Sequence, residues 1–165
     1  MASLNNNIAL LYQEMNDFPM AVQHLKKAQS IIEKIEGMDI EVATTYTNLA
    51  ASLIEINQVS QAEDYLKKAL EIFDRDEVKN FHYSGALCAM ASVKCSLKQY
   101  EEAAKLYEKA LPEIEANMGR GSAYNITKEN LAKVFDKIKE EKKELFTIIE
   151  NFLDMGFDDI SEALT

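Results

Sequence analysis

One string comes back through the chain at a fixed interval of 41 residues, and that interval restricts the fold more than any other feature. Asn7-Ile8-Ala9 recurs as Asn48-Leu49-Ala50, as Ala89-Met90-Ala91 and as Asn130-Leu131-Ala132. A second signature follows the first three copies at a constant offset: Ala21, Leu25 and Ala28, then Ala62, Leu66 and Ala69, then Ala103, Tyr107 and Ala110. Self-similarity at a period of this length marks a solenoid, in which each unit is too small to bury its apolar face alone and does so against its neighbours.

Within each copy the apolar residues fall at helical spacing. Leu4, Ile8, Leu11 and Tyr12 share one face of a helix over about 2–15, and Ala21, Leu25, Ala28, Ile31, Ile32 and Ile35 one face of a helix reaching about 36. Asp17 is placed to cap that second helix and Pro19 fits its first turn, while Gly37 supplies a stop. The same plan predicts helices over about 40–56 and 61–75, then 80–97 and 100–117, with Ser60 and Glu63 as a capping box and Pro112 bending the sixth helix. A fourth leading helix over about 122–139 carries Leu131, Ala132 and Phe135 inward. Its follower is degenerate, so 145–155 is expected as a separate capping helix over the last unit, ending at Gly156, with a short helix at 158–164. With only two Pro and five Gly there is little material for strands and tight turns. The expected fold is all-α, one domain of units at about 2–36, 39–76, 79–118 and 121–140 plus a cap at 142–165, with a fragment of a longer array as the alternative.

The alanines have a steric purpose. Helices approach closely only where side chains are short, so Ala9, Ala50, Ala91 and Ala132 mark where each leading helix meets its follower. Tyr12, Leu53 and Phe135 fill the space beside these contacts; Lys94 holds that place in unit three, and its ammonium is expected to stay in water with the stem on apolar surface.

Composition excludes several classes of function. The net charge is −10, and the last 16 residues hold Glu150, Asp154, Asp158, Asp159 and Glu162 without a Lys or Arg, so a phosphate backbone is repelled and nucleic acid is not an expected partner. No apolar run approaches the ~20 residues of a membrane span. The N-terminus lacks a signal-peptide layout, and the expected compartment is the cytoplasm. Cys88 and Cys95 lie on one helical face but about 10 Å apart along the axis, too far for a disulfide. His24 and His82 have no motif around them and read as surface residues. There is no phosphate loop, metal-ligand spacing or nucleophile elbow, so neither enzyme activity nor a cofactor or metal is expected.

Together the period, the Asn-Leu-Ala triplets and the alanine slots resemble tetratricopeptide repeats, in particular the longer class typified by kinesin light chain. Asn6-Asn7-Ile8-Ala9-Leu10-Leu11-Tyr12 is similar to that class's leading helix, and Phe18-Pro19-Met20-Ala21 and Gln99-Tyr100-Glu101-Glu102-Ala103 to its second-helix openings. The match covers about residues 2–140 and departs at the aromatic near the start of the leading helix, which only Tyr46 supplies. The resemblance implies a right-handed superhelix whose leading helices line a concave groove for a peptide or helix of a partner protein. The family's groove positions fall on Asn6, Asn7, Leu10 and Gln13 in unit one and on Thr44, Thr47, Asn48 and Ala51 in unit two. They fall on Cys88 and Ser92 in unit three and on Asn130, Lys133 and Lys137 in unit four. Asn7, Asn48 and Asn130 would form a ladder broken at Ala89, able to donate to and accept from a peptide backbone. Leading helices one and two hold no Lys or Arg, which disfavours a clamp for acidic C-termini and suits a neutral or mildly basic peptide. The alternatives are a self-assembling structural module using the repeat ends or the acidic tail, making a homo-oligomer, and, more remotely, a regulatory segment of a larger multidomain protein.

Overall fold

The computed structural model describes residues 1–75, 77 and 79–154. Among these the chain forms seven helices and no strand: α1 (Ala2–Glu14), α2 (Phe18–Ile32), α3 (Asp39–Glu55), α4 (Val59–Arg75), α5 (Phe81–Ser96), α6 (Tyr100–Met118) and α7 (Ser122–Asp154). The pairs α1–α2, α3–α4 and α5–α6 pack as hairpins, α2–α3 and α4–α5 join successive pairs, and α7 lies on α6. This is an all-α repeat superhelix.

The period extends to the backbone of the turns. Asn16, Asn57 and Lys98, spaced 41 apart, all take left-handed conformations, with φ of 58°, 59° and 58°. After each, the next amide reaches back five residues: Asp17 N to Tyr12 O, Gln58 N to Leu53 O and Gln99 N to Lys94 O, each at 2.8 Å. This is a Schellman closure, which satisfies carbonyls that the end of a helix leaves without partners. The turn fixes how far each helix of a pair overlaps the other. Asp17 then caps α2 as expected, accepting from Met20 N at 3.2 Å.

Three of the four alanines assigned to helix crossings, Ala9, Ala50 and Ala91, are fully buried, as are the alanines of the second signature, Ala21, Ala28, Ala62, Ala69, Ala103 and Ala110. Leu25, Leu49, Leu53, Leu66 and Phe73 fill the space between them at 0% exposure. The core is one continuous body from α1 to α6, joined by a smaller cluster of Ala103, Ala104, Tyr107, Val134 and Ile138 where α6 meets α7.

The fourth crossing alanine, Ala132, is exposed, and Phe135 is 40% exposed. Both were expected to face inward beneath a capping helix. Instead α7 runs without a break from Ser122 to Asp154, so residues 145–154 extend the fourth leading helix rather than fold back over it. No Gly or Pro occurs between Gly121 and Gly156, and the run Lys139-Glu140-Glu141-Lys142-Lys143-Glu144 consists of good helix formers. Ion pairs along the helix reinforce it, Lys137 to Glu140 at 2.7 Å and Lys139 to Asp136 at 3.4 Å. The short helix expected at 158–164 and most of the acidic tail lie outside the described residues.

Other expectations are corrected too. Helix α2 stops at Ile32, a turn before Glu36, because the amide of Ile35 bonds Ile32 O and tightens the chain toward Gly37 (φ 80°). Ile35 is therefore 47% exposed. The Ser60–Glu63 capping box does not form: α4 already begins at Val59, and the Glu63 carboxylate is held by Lys67 at 3.0 Å and Lys94 at 3.2 Å. Neither histidine is a plain surface residue. His24 stacks on Tyr12 at 5.5 Å and its Nδ1 lies 3.1 Å from Asn5 Oδ1, while burial pulls the His82 pKa down.

Candidate peptide-binding groove

The leading helices α1, α3, α5 and α7 form one layer, cross-linked by side chains on their shared faces. Asn6 Nδ2 donates to Thr45 Oγ1 at 3.2 Å, and Gln13 Nε2 donates to Ser52 Oγ at 2.7 Å and to the carbonyl of Asn48 at 3.2 Å. These bonds tie α1 to α3. Helix α5 packs on α3, and Cys88 Sγ lies 3.6 Å from Thr127 Oγ1 on α7. Asn6 and Gln13, expected as groove ligands, thus brace the layer, although Asn6 Oδ1 is buried without a partner. Thr47 is buried and its hydroxyl goes to its own helix at Ala43 O, 2.9 Å; Thr44 does the same with Ile40 O at 2.8 Å.

A different subset keeps its polar groups free. The side-chain amides of Asn7, Asn48 and Asn130 make no hydrogen bond among the described residues. Asn7 is exposed, the other two are half-buried, and Leu10 and Ala51 are exposed beside them. The bonded and unbonded amides separate by position: residues facing an adjacent leading helix are consumed, while those one step round the helix are not.

Units three and four border an open hollow of about 520 Å³ lined by Ser92, Cys95, Tyr100, Tyr107, Asn130, Lys133, Val134 and Lys137. It brings together four predicted site residues, Ser92, Asn130, Lys133 and Lys137. Cys88 faces a second cavity of about 280 Å³, mainly apolar, with Gly85, Ile114 and Ile126. Asn6 borders a third, at the other end of the layer, with Met1, Ile31, Ile35 and Met38.

Sequence reading missed Tyr100 and Tyr107. Tyr107 sits where Leu25 and Leu66 stand in the other units, and that added hydroxyl was the available signal. Its OH lies 3.2 Å from Ser92 Oγ, which also donates to Cys88 O at 3.1 Å. Burial raises the Tyr107 pKa and those of both Cys88 and Cys95, so the phenol and thiols are protonated and poorly nucleophilic near neutral pH. The two lysines are already matched by carboxylates, Lys133 by Glu129 at 2.9 Å and Lys137 by Glu140 at 2.7 Å. The arrangement offers neutral donors and acceptors around an apolar floor, which recognises polar backbone rather than concentrated charge.

Residues 1–75 match the family model described as tetratricopeptide repeat. Over those residues, somewhat under half of the chain, it is similar to tetratricopeptide repeats. Solved structures carry the likeness over most of its length. The apo form of RapI superposes with a TM-score of 0.75 at 19% identity, covering 88% of this chain and 52% of that one. A Rap protein complexed with competence and sporulation factor gives 0.74 at 17%, covering 86% and 39%. The nearly identical repeats of a putative kinesin light chain from Podospora anserina give 0.73 at 16%, covering 86% and 68%. At these identities the likeness concerns the fold. No curated protein sequence matches the chain. The chain spans about half the length of RapI. Tetratricopeptide repeats generally mediate protein–protein interactions and are generally non-catalytic scaffolds. None of the helices among the described residues is long and apolar enough to cross a membrane.

Proposed function

We propose that this chain, read as one domain, is a non-catalytic scaffold that holds a peptide or helix of a partner protein against the layer of leading helices. The observation that carries the reading is the contrast between consumed and free amides. Asn7, Asn48 and Asn130 occupy one register of three repeats and have no partner among the described residues, while neighbouring Asn6 and Gln13 are spent on bracing. An amide donates and accepts at once, so a row of them can follow a peptide main chain with little demand on its side chains. The cavity at Ser92 and Asn130 supplies a place for one apolar or aromatic side chain of that peptide. A Rap protein of similar fold was solved complexed with competence and sporulation factor, in keeping with a fold that takes a binding partner. The pairing of Lys133 and Lys137 with glutamates favours a neutral or mildly basic ligand. A reducing compartment, the cytoplasm, fits the two free thiols.

The test is affinity capture from cell lysate with the intact chain and with Asn7→Ala/Asn48→Ala/Asn130→Ala, circular dichroism establishing that both are folded. Proteins retained by the intact chain and lost by the variant are the expected result. Identical captures by both forms would remove the amides from the recognition surface.

A further inference from the structure

We propose that the furrow between α5 and α7 takes an amphipathic helix of a partner protein, with apolar anchors at its positions i and i+7 and a basic residue at i+14. This rests on the scaffold reading above and names the class of ligand. It does not use the row of amides, which crosses the leading helices instead of running along them.

Helices α5 and α7 both pack on α6, which floors the furrow between them. Three hollows lie along it, and their lining advances by seven residues on each helix. The first is bordered by Gly85 on α5, Ile114 on α6 and Ile126 on α7. The second is bordered by Ser92, Tyr107 and Lys133, and the third by Tyr100 and Glu140. Seven residues are two helical turns, about 10 Å, so the hollows stand at that interval in a line along the helix axes. A helix laid in the furrow returns to the same face at the same interval. An extended peptide covers that distance in about three residues, and side chains three apart on a strand point to opposite faces. The spacing therefore selects a helix.

The chemistry of the hollows orders the anchors. The first, of about 280 Å³, is mainly apolar, and Phe81, Met118 and Ile126 stand 55%, 52% and 54% exposed around it. Exposed apolar side chains gathered at one concavity mark a binding surface, where scattered ones do not. This hollow suits a Leu or Met side chain. The second, of about 520 Å³, is walled by Tyr100 and Tyr107 and suits an aromatic ring. The third sets Lys98 and Lys137 against Glu140, Glu141 and Glu144, an excess of one negative charge on a chain whose net charge is −10. A base of the ligand belongs there. A ligand helix running parallel to α7 puts that base near its own C-terminal end, where the helix dipole favours a cation. Residues 155–165 carry Asp158, Asp159 and Glu162 without a base, so like charge opposes the chain's own tail at that end.

The experiment is fluorescence anisotropy of a labelled alanine-rich peptide of about 20 residues, long enough to populate a helix, carrying Leu, Phe and Arg in that order at seven-residue spacing. Titrated with the intact chain from about 1 µM to about 1 mM, it should bind with saturation. Moving Phe two residues toward Leu turns it to another side of the peptide helix and should weaken binding about tenfold. Gly85→Phe should do the same by filling the first hollow. A Cβ at Gly85 meets nothing within 4 Å, so the circular dichroism spectrum should be unchanged. Glu141→Lys/Glu144→Lys should weaken binding of the Arg probe and strengthen that of a probe with Glu in its place. A probe that does not bind across the range, as when the chain's own tail or nothing at all fills the furrow, overturns the proposal. So does equal binding of the shifted probe, a folded Gly85→Phe chain of unchanged affinity, indifference to the charge exchange, or tighter binding by a proline-broken peptide of the same composition. Capture of lysate proteins through the amides, with a probe that does not bind, would leave the scaffold reading standing and the helix in the furrow refuted.

Discussion

The ammonium of Lys94 on α5 lies 3.2 Å from Glu63 Oε1 on α4, tying the third unit to the second. Glu102 Oε2 at 2.9 Å and Gln99 Oε1 at 3.0 Å complete its coordination from α6 and the turn before it. Side-chain exposures of 14% and 17% for Lys94 and Glu63 show a pair largely withdrawn from water, where the ammonium was expected to be wet. The position corresponds to Leu53 of the second unit, so a three-helix ionic junction replaces an apolar contact. Removing one member of a shielded pair leaves the other's charge to be rehydrated at a cost. Lys67 still holds Glu63, and Glu102 is half exposed, which limits the loss. Lys94→Ala is expected to lower stability by about 2 kcal/mol in urea unfolding.

The same carboxylates set the acid limit of the fold. The Glu63 pKa is lowered by the hydrogen bond from Lys67 and by that from Lys94, against the opposing effect of burial. For Asp74, burial pushes the pKa up but is outweighed by hydrogen bonds from Lys79 at 2.8 Å and the Tyr83 hydroxyl at 3.1 Å. Both folded values lie below those of the unfolded chain, at about 4. Their stabilisation is therefore complete above that value and is lost as pH falls through the folded values. The melting temperature should be flat from about pH 5 to 7 and should drop below about pH 4, with a shallower drop in Glu63→Gln.

A third expectation comes from the repeated turn. Asn16 and Asn57 tolerate the left-handed region because a short polar side chain relieves its strain, but Lys98 takes φ 58° without that relief. Lys98 is exposed and its side chain makes no hydrogen bond or ion pair among the described residues. Lys98→Asn, which restores the residue found in the first two turns, should stabilise the fold by about 0.5 kcal/mol, and Lys98→Gly by up to about 1 kcal/mol. Thermal unfolding of the two variants provides the check.

What was legible in the sequence was whatever repeats. The alanine slots at 41-residue spacing gave the crossings, and Asp17 gave its cap, because both follow from local sterics and local hydrogen bonds. What escaped depends on partners brought together by the fold. The bonding of Gln13 to Ser52 and of Asn6 to Thr45 spans 39 residues in each case, so a groove position and a bracing position looked alike. Tyr107 was assigned to packing by its register, and it lines the hollow beside Ser92 as well. Glu63 had the right spacing for a capping box but found two lysines instead. The largest departure lies in the fourth unit. A degenerate follower implied a turn near residue 140, yet nothing in that run terminates a helix, and local propensity prevailed over the repeat pattern.

That departure makes a quantitative contrast between two positions that the repeat pattern turns inward, one in unit two and one in unit four. Leu49 is fully buried between α3 and its neighbours, so Leu49→Ala removes apolar contact and leaves a cavity, at a cost of about 3 kcal/mol. Phe135, in register with the buried Leu53, was expected inward too, but α7 continues past it and no described helix covers it, leaving it 40% exposed. Phe135→Ala should then cost less than about 1 kcal/mol, since much of the ring is already in water and no sealed cavity is created. Urea unfolding of the two variants separates the cases. A Phe135→Ala cost close to that of Leu49→Ala would mean that a helix folds back over α7 after all.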